Sequence, residues 1–126
     1  MSDSISIIAT IGVLFLIKFL SGIWLSRSGR PLNGIVLTVH KIVSLLIVVL
    51  IAITVRRLRQ GIAVSAVETS AIVITGLFFL SAVVSGGLLS TGKPTPAVVG
   101  TVHKVTPLLA VLSTATLIYL VAWAKP

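Results

Sequence analysis

The chain contains no cysteine and only two acidic residues, and charged residues make up only 10% of its 126 residues. Without cysteine it can form no disulfide framework, no thiolate-bound metal site and no haem attachment through cysteine. A soluble domain normally carries about a quarter of charged residues, so the composition excludes an ordinary soluble fold. Ten Lys and Arg residues give a net charge of +8, but there is too little polar surface for a nucleic-acid-binding face. We therefore expect an integral membrane protein whose basic residues lie against anionic lipid headgroups.

Hydrophobic residues make up 56% of the sequence and gather in four runs. Each run is close to the roughly 20 apolar residues that cross a bilayer core. We predict three membrane helices at about Ile5–Leu25, Asn33–Val55 and Ser65–Leu89, and a fourth that ends near Trp123. The first run is longer than the apolar part of a signal peptide and follows no basic residue, so we expect it to span the membrane.

Local signals place the helix ends. Pro31 suits the first turn of the second helix, where a missing N–H costs nothing. The stretch Arg56–Gly61 reads as a basic turn closed by glycine. Ser65 and Glu68 have the spacing of a capping box, with serine at the N-cap and glutamate at the third helical position. This spacing favours a structural role for Glu68 over that of a coupling carboxylate.

The sequence from Ser28 to Lys41 is repeated 63 residues later, from Thr91 to Lys104. Matched pairs include Gly29 with Gly92, Pro31 with Pro94, Thr38 with Thr101, Val39 with Val102, His40 with His103 and Lys41 with Lys104. A gapless continuation pairs Ile11, Leu14 and Phe15 with Ile74, Leu77 and Phe78. A match at a fixed period is the signature of a structural repeat. We predict repeats over residues 5–59 and 65–123.

The predicted fold is therefore an all-α membrane protein of four transmembrane helices, built as two tandem helical hairpins within a single domain, 1–126. A hairpin returns to the side from which it started, so the two copies are parallel repeats, and together they would form a four-helix bundle. Both termini would lie on the side of the Arg56–Arg59 turn. The positive-inside rule favours the cytoplasm for that side, which carries Arg56, Arg57, Arg59 and Lys125. We expect the membrane to be a prokaryotic plasma membrane.

The only two histidines, His40 and His103, occupy the same position in both copies, about nine residues after Pro31 and Pro94. At about 1.5 Å per residue they would lie roughly 13 Å along parallel helices, at one depth in the hydrocarbon. Two imidazoles at one depth can hold a flat cofactor from both faces, and a haem iron takes one neutral imidazole on each side. Hydrogen-bonded structural histidines and a path for protons or metal ions remain alternatives.

The residues around the histidines are compatible with a ligand. Gly100, one turn before His103, leaves room for a macrocycle, or lets two helices approach closely. Ser44 or Thr106 could hold a ring N–H and select the tautomer. Lys18 is a charge inside the first span with no acid at its depth, which is costly without a partner.

An anionic ligand would supply that partner. Carboxylates of a haem, with Arg30 and Lys93 at the rim, would do so. The alternative is that Lys18 extends to lipid phosphate.

The four spans with His40 and His103 resemble the small four-helix membrane cytochromes b, with cytochrome b561-like architecture. The resemblance implies one b-type haem between the second and fourth helices, because two-haem members need four histidines. It implies electron transfer with quinol or a redox protein, by a carrier or subunit that could form a homo-oligomer, rather than by a stand-alone enzyme. A small proton-coupled transporter and a structural accessory subunit are the other hypotheses.

Overall fold

The computed structural model describes residues 2–123, so residues 1 and 124–126, including Lys125, lie outside the described part. Four helices are present: α1 (Ser2–Arg27), α2 (Gly34–Leu58), α3 (Ala66–Ser90) and α4 (Ala97–Ala122). Each is long and apolar enough to cross a membrane. The predicted all-α membrane fold is confirmed.

The chain forms two compact units, Met1–Leu58 and Arg59–Pro126. Helix α1 packs against α2 in the first unit, which we call hairpin 1, and α3 packs against α4 in the second, hairpin 2. The prediction of two hairpins is confirmed. That they form one domain and one bundle stays a prediction.

Helix α2 begins later than proline placement suggested. The side-chain oxygen of Asn33 accepts the backbone N–H of Ile35 (3.0 Å) and of Val36 (3.1 Å), so Asn33 is the N-cap. Pro31 therefore lies in the linker and not in the first turn of the helix, and that prediction was wrong. The capping amide satisfies two of the free N–H groups at the helix start, which a proline ring cannot do.

Helix α2 also ends later than predicted, because Arg56 and Arg57 continue the helix as far as Leu58. Arginine is a good helix former, and cations in a last turn interact favourably with the helix dipole. The start of α3 is as predicted: Ser65 is the N-cap, and it forms the full capping box with Glu68.

Each hairpin is closed by a six-residue linker, 28–33 in one and 91–96 in the other. In both, the second residue after the helix is a glycine with positive φ, 69° at Gly29 and 74° at Gly92. A left-handed residue there ends a helix, and glycine takes that conformation without a Cβ clash. The shared turn explains why these glycines recur 63 residues apart.

The repeat has two offsets and not one. Buried positions in α2 and α4 are 63 residues apart: Val43 with Thr106, Ile47 with Ala110, Ile51 with Thr114 and Thr54 with Leu117. Buried positions in α1 and α3 are 64 apart: Ile11 with Thr75, Phe15 with Phe79, Lys18 with Ala82 and Ser21 with Ser85.

The gapless alignment is therefore wrong for α1 and α3. The stretch from Gly22 to Gly29 is one residue longer than that from Gly86 to Gly92. One residue turns a helical position by about 100°, so the shift decides which side chains face the neighbouring helix.

Large apolar side chains cover the outside of both hairpins; Trp24, Ile35 and Leu112 are each at least 60% exposed. Burial is confined to one stripe per helix, and each stripe contains polar residues such as Ser21, Thr54 and Ser85. Apolar outside and partly polar inside is the arrangement that suits a lipid environment. The chain is an integral membrane protein.

Candidate functional site

In hairpin 1, His40 on α2 is hydrogen-bonded to Ser21 on α1. The Nδ1 of His40 lies 2.9 Å from the Oγ of Ser21. The Ser21 hydroxyl donates its single proton to the carbonyl oxygen of Lys18 (3.0 Å), so it accepts from the imidazole. Nδ1 therefore carries a proton.

In hairpin 2, His103 on α4 makes the equivalent contact with α3. Its Nδ1 lies 3.1 Å from the Oγ of Ser85 and 3.0 Å from the carbonyl oxygen of Ala82. The Ser85 hydroxyl donates to the carbonyl oxygen of Ser81 (2.6 Å). Since a carbonyl oxygen can only accept, the Nδ1 of His103 also carries a proton.

Both hairpins thus select the same imidazole tautomer. When the ring is neutral and Nδ1 is protonated, the lone pair that can bind a metal is on Nε2. A metal-bound histidine usually donates its other N–H to a protein acceptor, which fixes the ring and raises its basicity. Ser21 and Ser85 provide that acceptor, and His40 and His103 are each half-buried.

A glycine lies beneath each ring. A Cβ added to Gly22 would lie 3.2 Å from the Cε1 of His40, and one added to Gly86 would lie 2.6 Å from the Cε1 of His103. Any larger residue would push the imidazole away from the serine. The recurring unit is therefore Ser-Gly on one helix and His on the next.

This unit places the histidines nearer the linker than predicted. Each histidine is six residues beyond the first residue of its helix, Gly34 or Ala97. That corresponds to about 9 Å along the helix instead of about 13 Å. The difference arises because Pro31 and Pro94 precede the helices. Each imidazole lies at the same distance from the first residue of its own helix.

The predicted ring partners, Ser44 and Thr106, were wrong. The Ser44 hydroxyl donates to the carbonyl oxygen of His40 (2.8 Å), and the Thr106 hydroxyl to that of Val102 (2.9 Å). In a helix the carbonyl four residues earlier is the nearest acceptor for such hydroxyls. The ring partners are on the neighbouring helix.

Lys18 is only 3% exposed, on the same stripe of α1 as Ser21. It does not extend along the surface towards lipid phosphate, so that alternative is wrong. Its carbonyl oxygen accepts the Ser21 hydroxyl that in turn accepts from His40. Lys18 is thus a buried lysine one turn along α1 from Ser21, the serine that contacts the imidazole of hairpin 1.

The other predicted site residues occupy less enclosed positions. Arg30 and Lys93 are exposed in the two linkers. A Cβ at Gly100 would meet nothing within 4 Å, so Gly100 marks open space and not a close approach of helices. Within residues 2–123, no three His, Cys, Asp or Glu side chains lie together as a metal site. A haem iron needs only two protein ligands.

Four residues of the site, Ser21, Gly22, Ser85 and Gly86, were missed in the sequence. The signal was present, because the dipeptide Ser-Gly recurs 64 residues apart and Phe15 recurs as Phe79 at the same spacing. The gapless alignment at 63 residues did not show this recurrence, because it paired each of these residues with the residue next to its structural equivalent.

No family model matches the chain, and comparison with curated proteins and with solved structures finds no match either.

Proposed function

We propose that the protein is an integral membrane b-type cytochrome, in which His40 and His103 are the two axial ligands of one haem. The observation that carries the proposal is the matched contact between the Nδ1 of each histidine and a serine hydroxyl on the neighbouring helix. The tautomer that these contacts favour has its metal-binding lone pair on Nε2.

The chemistry of the donor set fits a haem. A six-coordinate haem iron takes one neutral imidazole nitrogen on each side. The bound haem would supply reversible one-electron transfer. The protein's own residues hold the imidazoles: Ser21 and Ser85 set their tautomer and orientation, and Gly22 and Gly86 allow them to approach α1 and α3.

The charges near the histidines fit an anionic cofactor. Lys18 is buried one turn from Ser21, and a protonated lysine at that position would attract a carboxylate. Arg30 and Lys93 lie in the linkers at the histidine end of each hairpin, where further carboxylates could reach them.

The proposed role is that of an electron carrier or subunit. Quinol or a redox protein would exchange electrons with the haem, and a homo-oligomer is compatible with so small a chain. The only acids are Asp3 and Glu68, and Glu68 caps α3. In a proton-coupled transporter the two histidines would be the titrating site, and the lack of a carboxylate to assist them within the spans counts against this alternative.

The test is an absorption spectrum of protein purified in detergent from haem-replete cells. We expect a red preparation with the Soret and α bands of a low-spin b-type haem. His40→Ala or His103→Ala should each remove that spectrum. Lys41→Ala and Lys104→Ala alter exposed neighbours of the histidines, and they should keep it.

Colourless protein that takes up no added haem would refute the proposal. It would favour a second function, that of a structural accessory subunit, which the histidine–serine hydrogen bonds also support. Asparagine keeps a hydrogen-bond donor but is not a haem ligand. A His40→Asn, His103→Asn double variant that folds normally, from a wild type without pigment, would therefore identify a structural role.

A further inference from the structure

Hairpin 2 carries an apolar groove between α3 and α4, with a volume of about 400 Å³. Its lining residues are Leu80, Ser81, Val84, Ser85, Leu88, Val98, Val99 and Val102. The α3 part runs from Leu80 to Leu88, a distance of about 12 Å along the helix. Ligand sites in proteins commonly begin at about 300 Å³, so the groove is large enough for part of a ligand.

The equivalent positions of hairpin 1 show why the groove exists. Four of the eight lining positions carry a larger residue there, and none carries a smaller one. The pairs are Ser81 with Ile17, Val84 with Leu20, Leu88 with Trp24 and Val98 with Ile35. The second copy therefore has less side-chain volume than the first along one face of its hairpin.

The groove wall carries two serines, Ser81 and Ser85. The Ser85 hydroxyl donates to the carbonyl oxygen of Ser81 and accepts from the imidazole of His103, so it offers no donor to a ligand. The other six lining residues are leucine or valine. A hydrocarbon chain therefore matches most of the wall.

The end of the groove carries positive charge. Leu88 and Val98 flank the linker 91–96, in which Lys93 is exposed. The sequence after Glu68 contains no acid, so no carboxylate of hairpin 2 beyond its capping residue opposes this charge. A phosphate at the membrane surface is attracted by such a lysine.

We propose that this groove retains an anionic phospholipid, with one acyl chain between α3 and α4 and the phosphate at Lys93. The site does not depend on haem binding. It would distinguish the two hairpins, because the first carries bulkier side chains along the same face.

The test replaces the groove residues by those of hairpin 1: Ser81→Ile, Val84→Leu, Leu88→Trp and Val98→Ile. Protein is incubated with equal amounts of dioleoylphosphatidylglycerol and dioleoylphosphatidylcholine, and retained lipid is counted by native mass spectrometry. We expect the wild type to retain phosphatidylglycerol preferentially and the filled variant to retain at least tenfold less. Lys93→Ala should lower the preference for phosphatidylglycerol by about fivefold, the equivalent of roughly 1 kcal/mol for one lysine near the surface.

The matched control, Val83→Leu with Leu77→Trp, enlarges exposed positions of α3 outside the groove and should leave retention unchanged. The reciprocal variant gives hairpin 1 the smaller residues of hairpin 2: Ile17→Ser, Leu20→Val, Trp24→Leu and Ile35→Val. We expect this protein to retain a second lipid, bound to hairpin 1. It tests the proposal even if the filled variant does not fold. Equal retention of the two lipids by the wild type would overturn the proposal, as would retention that survives filling of the groove.

Discussion

At the scale of single residues, Gly22 and Gly86 determine how closely an imidazole approaches the neighbouring helix. A methyl group at Gly86 would lie 2.6 Å from the ring of His103, whereas one at Gly22 would lie 3.2 Å from that of His40. We expect Gly86→Ala to lower the free energy of unfolding by about 1–3 kcal/mol through overpacking, and Gly22→Ala to lower it less.

Gly12 and Gly76 provide the matched controls for this experiment. They occupy equivalent positions on α1 and α3, and a Cβ at either meets nothing within 4 Å. Alanine there should stabilise the helix by roughly 0.5–1 kcal/mol. Equilibrium unfolding in mixed detergent micelles measures all four variants, and equal effects at all four positions would contradict the close approach.

Ser21 and Ser85 make the equivalent contact with the Nδ1 of His40 and of His103. Losing one hydrogen bond typically costs about 0.5–1.5 kcal/mol. We expect Ser21→Ala and Ser85→Ala each to lower the free energy of unfolding by about that amount.

The control for the serine pair is Ser44→Ala, which removes a hydroxyl bonded to the backbone of its own helix. It should change the unfolding free energy by less than about 0.5 kcal/mol. If the protein binds haem, only the Ser21 and Ser85 variants should also shift the reduction potential, because only they alter the imidazole.

Two buried hydroxyls in hairpin 2 make no hydrogen bond within the described part of the chain. Thr75 and Thr114 are each 3% exposed, and the Oγ1 of each has no partner among residues 2–123. The equivalent residues of hairpin 1 are Ile11 and Ile51. We expect Thr75→Val and Thr114→Val each to stabilise the protein by about 1 kcal/mol, because each removes an unsatisfied polar group.

Thermal unfolding of the two single variants and their combination tests this prediction. Thr116→Val is the control, since the Thr116 hydroxyl is exposed and donates to the carbonyl oxygen of Leu112 (3.0 Å). Destabilisation by both buried variants would instead show that the two hydroxyls are engaged.

At the scale of elements, the start of α3 is held by a capping box and by an ion pair. The backbone N–H of Glu68 donates to the Ser65 hydroxyl (3.2 Å), and the backbone N–H of Ser65 donates to the Glu68 carboxylate (2.8 Å). The same carboxylate forms an ion pair with Arg59, which is also largely buried. One side chain thus holds both the helix start and the turn before it.

The substitutions at this helix end should therefore differ in cost. Ser65→Ala should destabilise by about 1 kcal/mol, the usual effect of losing an N-cap. Glu68→Ala should cost about 3 kcal/mol or more, because it also leaves the Arg59 guanidinium buried without its partner. Unfolding free energies measure both.

The control is Ser70→Ala, which alters an exposed hydroxyl bonded to its own helix and should leave the unfolding free energy almost unchanged. Similar losses of stability for all three variants would argue against the double role of Glu68.

At the scale of the whole molecule, four spans predict that the two hairpin linkers lie on one side of the membrane and the turn before α3 on the other. The chain contains no cysteine, so single cysteines report topology cleanly. Cysteines at Ser28 and Thr91 should be labelled by an impermeant maleimide from one side of sealed vesicles. A cysteine at Gln60 should be labelled from the other side, and labelling of all three from one side would contradict four spans.

The sequence by itself determined the parts of this protein that local chemistry and composition control. Apolar runs of sufficient length make four membrane helices, because an unpaired backbone is too costly in lipid. The Ser65–Glu68 spacing was enough to predict the capping box, since its hydrogen bonds join residues only three apart. The repeated linker, with its glycines, likewise followed from the residues within it.

The tertiary structure alone decided which side chains meet. Hydrogen bonding of His40 to Ser21, rather than to Ser44, depends on the rotation of α1 against α2. A single extra residue before Gly29 changes that rotation by about 100°. Identities between the two copies occur at both the 63-residue and the 64-residue spacing, and they do not by themselves decide which spacing holds for α1 and α3. Side-chain burial and hydrogen-bond geometry do, because only one face of each helix can pack against its neighbour.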